Sequence, residues 1–439
     1  MFEPEAVLSN HHEAIASPAI EPPREAWFSP HRTLGGDSGE AFRTALEALL
    51  DSLERSHGGR VRARRKTAVE SWKRVLGALG AGLATTVVGG YLEGLALSLA
   101  NPQRAAKVSR YEPSPLPPEM LRTAADLLVA GEYIVRTPGR PGRLSTLAPT
   151  PLFAALVEAH GVTLEDVETV EGDEVIHLRG YNPNKGERGP SIEYVDTPAT
   201  YAMRRQMVTL NAWLRDAPLD VAPGGPWVDT GRRSMIRVFN RAPPGVPSSP
   251  DFTLGGRLAG GFWINMKRDD RLSRLRIEGA PVAFVDWSSA WPRIAFAMAG
   301  QEPPEGDLYA GLPGTREGAK MVVNALLSSY KALSRFPQDT RVHFASRDRW
   351  PDIQRRIFDA LPPVARVAGT GFNLKAQRVE SDALLLALGD FQRLGVVALP
   401  QHDAVAVGMH HVETAKEVMV SAFRRVVGVE GAVKVETHC

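Results

Sequence analysis

Cysteine is almost absent from this chain of 439 residues, whose single cysteine is Cys439. One cysteine excludes an internal disulfide framework and a cysteine-ligated zinc site within the chain. Long apolar runs are also missing, because glycines and Glu93 interrupt the apolar region 78–100, and a membrane span needs roughly 20 apolar residues. The first residues lack the basic-then-apolar pattern of a signal peptide. We therefore expect a soluble, cytoplasmic protein with no membrane partner.

Net charge is also low, at +2, so the composition excludes a polycation that binds nucleic acid through its total charge. Lysine is scarce, with 10 lysines among 52 basic residues, and the others are arginine. Arginine suits bidentate phosphate contacts, although a GC-rich genome produces the same bias. The length allows two or three domains. A site for a polyanion must therefore be sought in local clusters.

The N-terminal part divides into two segments. Residues 1–40 are rich in proline, glycine and serine and predict a flexible arm. Residues 41–150 predict a mostly helical nucleic-acid-binding domain, which begins with an amphipathic helix at 41–56. A basic cluster follows and is either a phosphate-contacting patch or a solvated helix face. Its members are Arg60, Arg62, Arg64, Arg65, Lys66, Lys73 and Arg74.

Residues 117–149 carry a more specific pattern. A helix is predicted from Glu119 to Ala130, followed by a strand at 132–136, a basic turn at 139–143 and a second strand at 144–147. This order is typical of the last part of a winged helix and also of an ordinary helix–hairpin. Residues 151–250 predict a thumb-like or connecting α/β region with a helix from Asp196 to Leu214. Proline- and glycine-rich stretches place a domain boundary between 217 and 250.

Residues 251–439 contain two aspartates beside short apolar strands. Val282 to Val285 predict a strand that delivers Asp286 at its tip, and Ser289 predicts the cap of a helix at 290–299. Asp403 lies at the turn of a hairpin predicted over 396–407. Two carboxylates on neighbouring strand tips suit a pair of divalent cations, which is the arrangement used in two-metal nucleotidyl transfer.

A helix with a polar stripe lies between the two aspartates. Arg316, Lys320, Asn324 and Ser328 recur every four residues in a helix predicted from 316 to about 333. A single Arg–Lys spacing is usually a solvated face, but here the stripe lies between two candidate metal-binding strands, so we interpret it as a triphosphate site. The glycine-dense segment 254–261 predicts a flexible loop.

In this order and at this spacing, the motifs of 250–439 resemble the palm and fingers of family A polymerases, the group of bacterial DNA polymerase I and the single-subunit phage RNA polymerases. The matching motifs are 286–295, Arg316-x3-Lys320 with Tyr330 downstream, the glutamine-led stretch 377–382, and His402-Asp403. The resemblance implies an α+β fold, with a right-hand palm of antiparallel sheet and helices, helical fingers, and the mostly helical N-terminal region beside them.

The same resemblance implies roles for individual residues, two Mg²⁺ or Mn²⁺ ions as cofactors, and a DNA or RNA primer-template and nucleoside triphosphates as partners. The implied metal ligands are Asp286, Asp403 and the carbonyl of Trp287, with Lys320 as a further catalytic residue. The implied nucleotide-binding residues are Ser288, Trp291, Arg316, Lys320 and Tyr330. The implied nucleic-acid contacts are Arg257, Arg293, Gln377 and His402.

Two departures affect the nucleotide that the enzyme would use. Trp291 stands where DNA polymerases of the family usually have a glutamate that excludes ribose, and Ala404 stands where they often have glutamate. Ala404 points toward the RNA-polymerase branch, whereas the lack of a large promoter-binding region favours DNA synthesis. No acidic cluster in the first 250 residues resembles a proofreading exonuclease. We expect a DNA polymerase without proofreading; the alternatives are an RNA polymerase or primase, and a non-catalytic replication factor.

Overall fold

The computed structural model describes residues 25–57, 64–91, 93–99, 109–111, 116–140, 143–169, 174–182, 189–246 and 249–438. These residues form a mixed α+β fold with many helices, two antiparallel sheets, and two sheets that each contain one parallel pair of strands. No helix in this described part is long and apolar enough to cross a membrane. Residues 1–24 of the predicted arm, Arg60 and Arg62 of the basic cluster, and Cys439 lie outside the described residues.

Residues 25–169 form strands and helices around one hydrophobic core. In chain order the elements are β1 (Glu25–Trp27), β2 (Arg32–Leu34), α1 (Gly36–Ser56), α2 (Lys66–Val88), β3 (Gly94–Leu97), α3 (Pro118–Ala130), β4 (Ile134–Thr137), β5 (Ser145–Pro149), α4 (Pro151–Ala159) and β6 (Val167–Thr169). The segment 25–40, predicted as part of a loose arm, is ordered into β1, β2 and the start of α1. The reason is that Ala26 and Leu34 are buried in this core.

Helix α2 is the centre of the first core, and every residue from Val75 to Thr86 is buried. Gly80 lies against Leu34 and Leu46, since a Cβ added there would come within 3.0 Å of both side chains. A helix that is apolar on all sides must be covered on all sides. Here α1, α3 and the strands β1, β2, β3 and β5 cover it.

The predicted helix, strand, turn and strand of 117–149 are all present. Helix α3 precedes the antiparallel hairpin of β4 and β5, and the hairpin joins a four-stranded sheet in the order β1-β3-β5-β4. Residues 141–142 of the basic turn lie outside the described residues. Arg143 pairs with Glu25 and Glu93, so its charge is compensated within the chain.

The rest of the chain surrounds a second hydrophobic core, whose buried residues run from Ile176 to Val429. Its elements are β7 (Ile176–Arg179), α5 (Pro198–Arg215), β8 (Leu219–Val221), β9 (Met235–Asn240), β10 (Gly255–Gly260), α6 (Phe262–Asn265), α7 (Arg268–Arg274), β11 (Leu275–Ile277), β12 (Ala280–Trp287), α8 (Ala290–Met298), α9 (Arg316–Ser328), α10 (Trp350–Ala360), α11 (Pro362–Val367), α12 (Phe372–Leu394), β13 (Ala398–Gln401), β14 (Ala404–Gly408), α13 (Val412–Val427) and β15 (Val433–Thr437).

A six-stranded antiparallel sheet positions the site. Its order is β13-β14-β12-β11-β8, and β15 pairs with β12 as well. Strand β12 is the common partner of β14, β15 and β11, which explains its nearly continuous burial. Helices α12 and α13 pack on each other and on this sheet. Because β8 pairs with β11, the region 151–250 contributes directly to the sheet of the C-terminal region.

Two local predictions for the C-terminal region are wrong. The glycine-dense segment is the strand β10, not a flexible loop, and it pairs with β9. Gly256 has φ 87°, and a Cβ there would lie 2.8 Å from Ser381 Oγ, so glycine lets β10 approach α12 closely. Helix α9 ends at Ser328 because Ser329 is extended, and this leaves Tyr330 and Lys331 outside the helix.

Candidate active site

The first aspartate lies inside a strand rather than at its tip. Asp286 pairs with Ala404 of β14 on one side and with Lys434 of β15 on the other. Strand β15, which the sequence pattern does not reveal, extends the pairing of β12 through Trp287. Directly opposed residues of an antiparallel pair share a face, and Lys434 Nζ accordingly lies 2.9 Å from Asp286 Oδ2.

The second aspartate lies where the sequence predicts it, at the turn of a hairpin. Gln401 pairs with Ala404, so His402 and Asp403 are the two residues of the turn between β13 and β14. His402 has φ 56°, a left-handed conformation that favours glycine in this kind of turn. Since β14 pairs with β12, the turn places Asp403 beside the Asp286 end of β12.

The two aspartates interact electrostatically with each other and with two lysines. Burial raises the pKa of Asp286 to about 6, and the Asp403 carboxylate adds to the effect. Lys434 and Lys320 oppose it, which places two carboxylates and two ammonium groups in one electrostatic cluster. Asp286 Oδ1 is buried and has no hydrogen-bond partner among the described residues. An ionised oxygen without a donor is a position that a cation can satisfy.

Helix α9 presents its polar stripe as predicted. Thr315 caps it by accepting a hydrogen bond from the Gly318 backbone at 3.1 Å. Arg316 and Lys320 are exposed, while Val322, Val323 and other apolar residues of the helix are buried. The Arg316 guanidinium pairs with Asp307. Lys320 acts on Asp286 at a distance, and it forms no hydrogen bond or ion pair with another residue of the described ranges.

A buried carboxylate that sequence reasoning missed lies on α12. Glu380 is 1% exposed, and its Oε2 accepts a hydrogen bond from Arg257 Nη2 at 3.0 Å. Burial raises the pKa of Glu380 to about 8, the Asp403 carboxylate adds to the effect, and Arg257 opposes it. The Arg257 guanidinium also lies 5.7 Å from the ring centroid of Trp291. Arg257 thus links the glycine-rich strand, α12 and the proposed sugar-selecting ring.

Two further groups complete the surroundings of Asp403. Tyr309 is buried, and burial raises its pKa to about 12. His402 is exposed, but neighbouring residues partly desolvate its ring. This desolvation lowers the pKa of His402, and the Arg257 cation lowers it further.

The contact between Lys434 and Asp286 could not be predicted from local sequence, because Lys434 lies 148 positions beyond Asp286 and reaches it through strand pairing.

Arg293 is buried rather than exposed at the surface. Its guanidinium belongs to a residue only 4% exposed and donates to the carbonyls of Ser288, Gly306 and Glu430. This arrangement ties the end of β12 to the loop before α9. A buried cation saturated by carbonyls is a structural tether, so we exclude Arg293 from the nucleic-acid contacts proposed below.

The remaining predicted residues lie around the end of β12 and on α12. Trp287 is buried and donates its indole N–H to the Met419 carbonyl at 3.0 Å, and Ser288 N donates to the Ala432 carbonyl at 2.6 Å. Ser289 precedes α8 in a left-handed conformation, φ 56°, and its side chain makes no cap hydrogen bond, so the predicted Ser289 cap is wrong. Gln377 is half-buried on α12.

Tyr330 lies beyond the end of α9. Its ring packs on Gly371, where an added Cβ would lie 2.0 Å from the ring. Burial raises the pKa of its hydroxyl. The tyrosine therefore lies at the junction of α9 and α12, and its proposed role in nucleotide binding stays a prediction.

No protein-family model matches the chain, and no curated protein matches it. Among solved structures, the chain is similar to the POL domain of Pol1 from M. smegmatis in complex with DNA primer-template and dNTP. The identity is 10% and the TM-score is 0.30. The similarity covers 92% of this chain and 66% of that chain, so this chain spans just under two thirds of its length.

Proposed function

We propose that this protein is a template-directed nucleotidyltransferase that extends a nucleic-acid 3′ end, and that it is a DNA polymerase of the family A type. The observation that supports this most is the pair of carboxylates formed by Asp286 of β12 and Asp403 of the turn that leads into the adjacent strand β14. Lys320 of α9 acts electrostatically on the same pair. Transfer of a nucleotidyl group needs charge neutralisation and alignment more than covalent chemistry.

The donors at this position fit divalent cations. Asp286 Oδ1 is buried without a partner in the described part of the chain, and hard cations prefer carboxylate oxygens. Asp286 and Asp403 would hold two Mg²⁺ or Mn²⁺ ions, with the Trp287 carbonyl as a further ligand. When bound, such ions activate the attacking 3′-hydroxyl and stabilise the leaving pyrophosphate.

The cationic residues would bind the incoming triphosphate. Lys320 has no partner of its own among the residues that the structure describes, and Arg316 would exchange Asp307 for a phosphate oxygen. Both are exposed on the same face of α9. Lys434 would have a different task, since it compensates Asp286 from the neighbouring strand before any cation binds.

The choice of sugar would depend on Trp291 and the residues that hold it. Arg257 lies over the Trp291 ring and pairs with the buried Glu380. A ring held in this way would narrow the space beside the ribose 2′ position. His402, at the tip of the hairpin, together with Gln377 and Arg257, would contact the primer-template.

RNA synthesis, with or without a primer, is the second candidate function. It is favoured by Ala404, a small buried residue directly after Asp403 where DNA polymerases of this family often carry a third acid. Both candidates share the same metal and triphosphate sites, so the nucleotide and primer requirements distinguish them.

Primer extension tests the proposal directly. A labelled DNA primer on a DNA template is incubated with Mg²⁺ and either dNTPs or NTPs, with a no-primer reaction in parallel. We expect extension with dNTPs by the wild type and a loss of at least about 1,000-fold in Asp403→Asn, as for removal of a main electrostatic contributor. Asp352→Asn is the matched control, because Asp352 is an exposed aspartate of α10.

The other outcomes separate the alternatives. Product from NTPs alone, or without primer, identifies an RNA polymerase or primase. Equal activity of Asp403→Asn and wild type refutes the assignment of the site. If no product forms under any condition but the protein still binds primer-template, the protein is a non-catalytic nucleic-acid-binding protein.

A further inference from the structure

Two histidines and a glutamate meet at the other end of the strands that carry the aspartates. His410 Nε2 lies 3.5 Å from Glu278 Oε2, and His411 Nε2 lies 4.0 Å from the same oxygen. The imidazole centroids are 4.1 Å apart. Within the described ranges, this is the only group of three His, Cys, Asp or Glu residues whose ligand atoms all lie within 4.8 Å of one another.

The turn that supplies the glutamate has an uncommon residue. Ile277 pairs with Ala280, so Glu278 and Gly279 form a two-residue turn between β11 and β12. Their φ values of 53° and 75° are both positive, the pattern of a type I′ turn, which prefers asparagine, aspartate or glycine at its first position. A glutamate held there against this preference points to a task for its carboxylate.

The histidines are brought to this turn by the antiparallel pairing. Val282 pairs with Gly408, so the short 3₁₀ helix Met409–His411 follows β14 at the Glu278 end of β12. Gly408 leaves space for one ring, since a Cβ there would lie 2.9 Å from His410 Cε1. Its backbone φ of −58° is ordinary for any residue, so the ring and not the turn accounts for this glycine.

The chemistry of the three donors suits a transition-metal ion. Two imidazoles and one carboxylate are a ligand set of zinc sites, in which ligands at about 2.0–2.2 Å are separated by roughly 3.3–3.5 Å in a tetrahedron. The His410 distance of 3.5 Å to Glu278 Oε2 lies in that range, and the His411 distance of 4.0 Å exceeds it by about 0.5 Å. A simple ion pair needs one histidine, whereas here both rings direct a nitrogen to the same oxygen.

We propose that Glu278, His410 and His411 bind a divalent transition-metal ion of the zinc class, with water in the fourth position. The site is separate from the proposed active site, because Ala280 and Asp286 are six residues apart in one strand, about 20 Å. The proposal does not depend on nucleotidyl transfer. Bound metal would fasten the β11–β12 turn to the segment between β14 and α13, and so hold the two aspartate-bearing strands in register.

Zinc binding to the full-length, metal-stripped protein tests this. All proteins carry Cys439→Ser, so that the lone thiol contributes no ligand, and titration calorimetry with Zn²⁺ is followed by Co²⁺ absorption in the visible range. We expect one Zn²⁺ site in the parent when the titration is run in excess Mg²⁺, which occupies the proposed aspartate site. Loss of a residue that only orients a metal ligand costs about 10–100-fold in metal affinity. His411→Gln and Glu278→Gln remove ligands themselves, so each should lower the Zn²⁺ affinity by at least about 100-fold.

Two controls make the result specific. His57→Gln removes an exposed histidine at the C-terminal end of α1 and should keep full affinity. Asp403→Asn should also keep it, since the aspartates belong to a different site. Zinc should raise the melting temperature of the parent and of both controls but not of His411→Gln, because only binding to the folded state stabilises it.

Equal zinc affinity in the parent and in both ligand variants overturns the proposal. Loss of zinc binding in Asp403→Asn, with retention in His411→Gln, assigns the metal to the aspartates and overturns it as well. Absence of any zinc or cobalt binding to a folded parent also overturns the proposal.

Discussion

Lys434 Nζ lies 2.9 Å from Asp286 Oδ2, directly across the β12–β15 pair. A cation on the neighbouring strand stabilises a carboxylate that is otherwise buried and repelled by Asp403. Lys434 is thus an internal substitute for the positive charge that the proposed metal ions would bring.

Replacing Lys434 should distinguish the positive charge of this lysine from that of the proposed metal ions. Without divalent cations, Lys434→Met leaves a buried carboxylate oxygen unpaired, and we expect a loss of about 1–3 kcal/mol in the free energy of unfolding. Added Mg²⁺ should restore more stability to the variant than to the wild type. Urea unfolding with and without Mg²⁺ measures both. Lys416→Met is the control, because Lys416 forms an exposed pair with Glu413; an equal loss there would contradict the interpretation.

The stability of the metal-free protein should fall at alkaline pH because of Glu380. Its folded pKa of about 8 is above its ordinary value of 4.5, so its contribution is complete below pH 4.5 and is lost as the pH rises through 8. The contribution of Asp286 to the pH dependence of stability ends near pH 6. A decline in stability between pH 7 and 9 is therefore assigned to Glu380. Urea unfolding across this range should show a decline that Glu380→Gln reduces and that Glu417→Gln, at an exposed position, leaves unchanged.

Replacing His402 by glycine should raise the stability of the protein and lower its activity. Its φ of 56° disfavours any side chain with a Cβ by about 1–2 kcal/mol. His402→Gly should therefore raise the free energy of unfolding by about 1 kcal/mol while primer extension falls, whereas Glu132→Gly, at φ 61° in the N-terminal region, should raise stability alone. A His402→Gly protein with full activity would remove His402 from the proposed site.

Arg32 joins the two hydrophobic cores through Asp229. Its guanidinium makes a bidentate contact of 2.6 and 3.1 Å, and both side chains are nearly buried, at 12% and 10% exposure. Asp229→Asn should lower the free energy of unfolding by about 3 kcal/mol, because it leaves a cation without its counter-charge. Asp352→Asn breaks an exposed pair with Arg355 and should change it by less than about 1 kcal/mol. Chemical unfolding measures the free energy of unfolding of both variants. An equal change in the two would show that the Arg32–Asp229 contact is no more stabilising than an exposed ion pair.

Trp291 should control which sugar is accepted. Trp291→Ala should reduce the preference for dNTPs over NTPs by about tenfold or more, the usual scale for loss of a bulky pocket residue. The ratio of kcat/KM for the two nucleotides measures this, and Trp291→Phe should retain most of the preference. An unchanged ratio in Trp291→Ala would assign sugar selection to other residues.

Sequence pattern predicted the elements whose signals are local. The amphipathic helix around 41–56, helix α5, the helix and hairpin of 118–149, and the turn carrying Asp403 are all present. Each depends on residues within about a dozen positions of one another, where spacing and capping are decisive. The polar face of α9 was predictable for the same reason.

Other features of the site depend on contacts between distant parts of the chain. Lys434 meets Asp286 only because β15 pairs with β12, and Glu380 faces Asp403 only because α12 packs beside the hairpin. The local sequence at 254–261 predicts a loop, yet this segment forms the strand β10. Its residue Gly256 packs against Ser381 of α12.

The sequence alone therefore determined the two aspartates, the cationic helix face and the order in which they occur, because periodicity and turn chemistry are properties of neighbouring residues. Tertiary structure alone decided which charges compensate which, and it brought Glu278 to His410 and His411 across more than 130 positions. Strand register and side-chain burial, which set those contacts, result from the packing of the whole core.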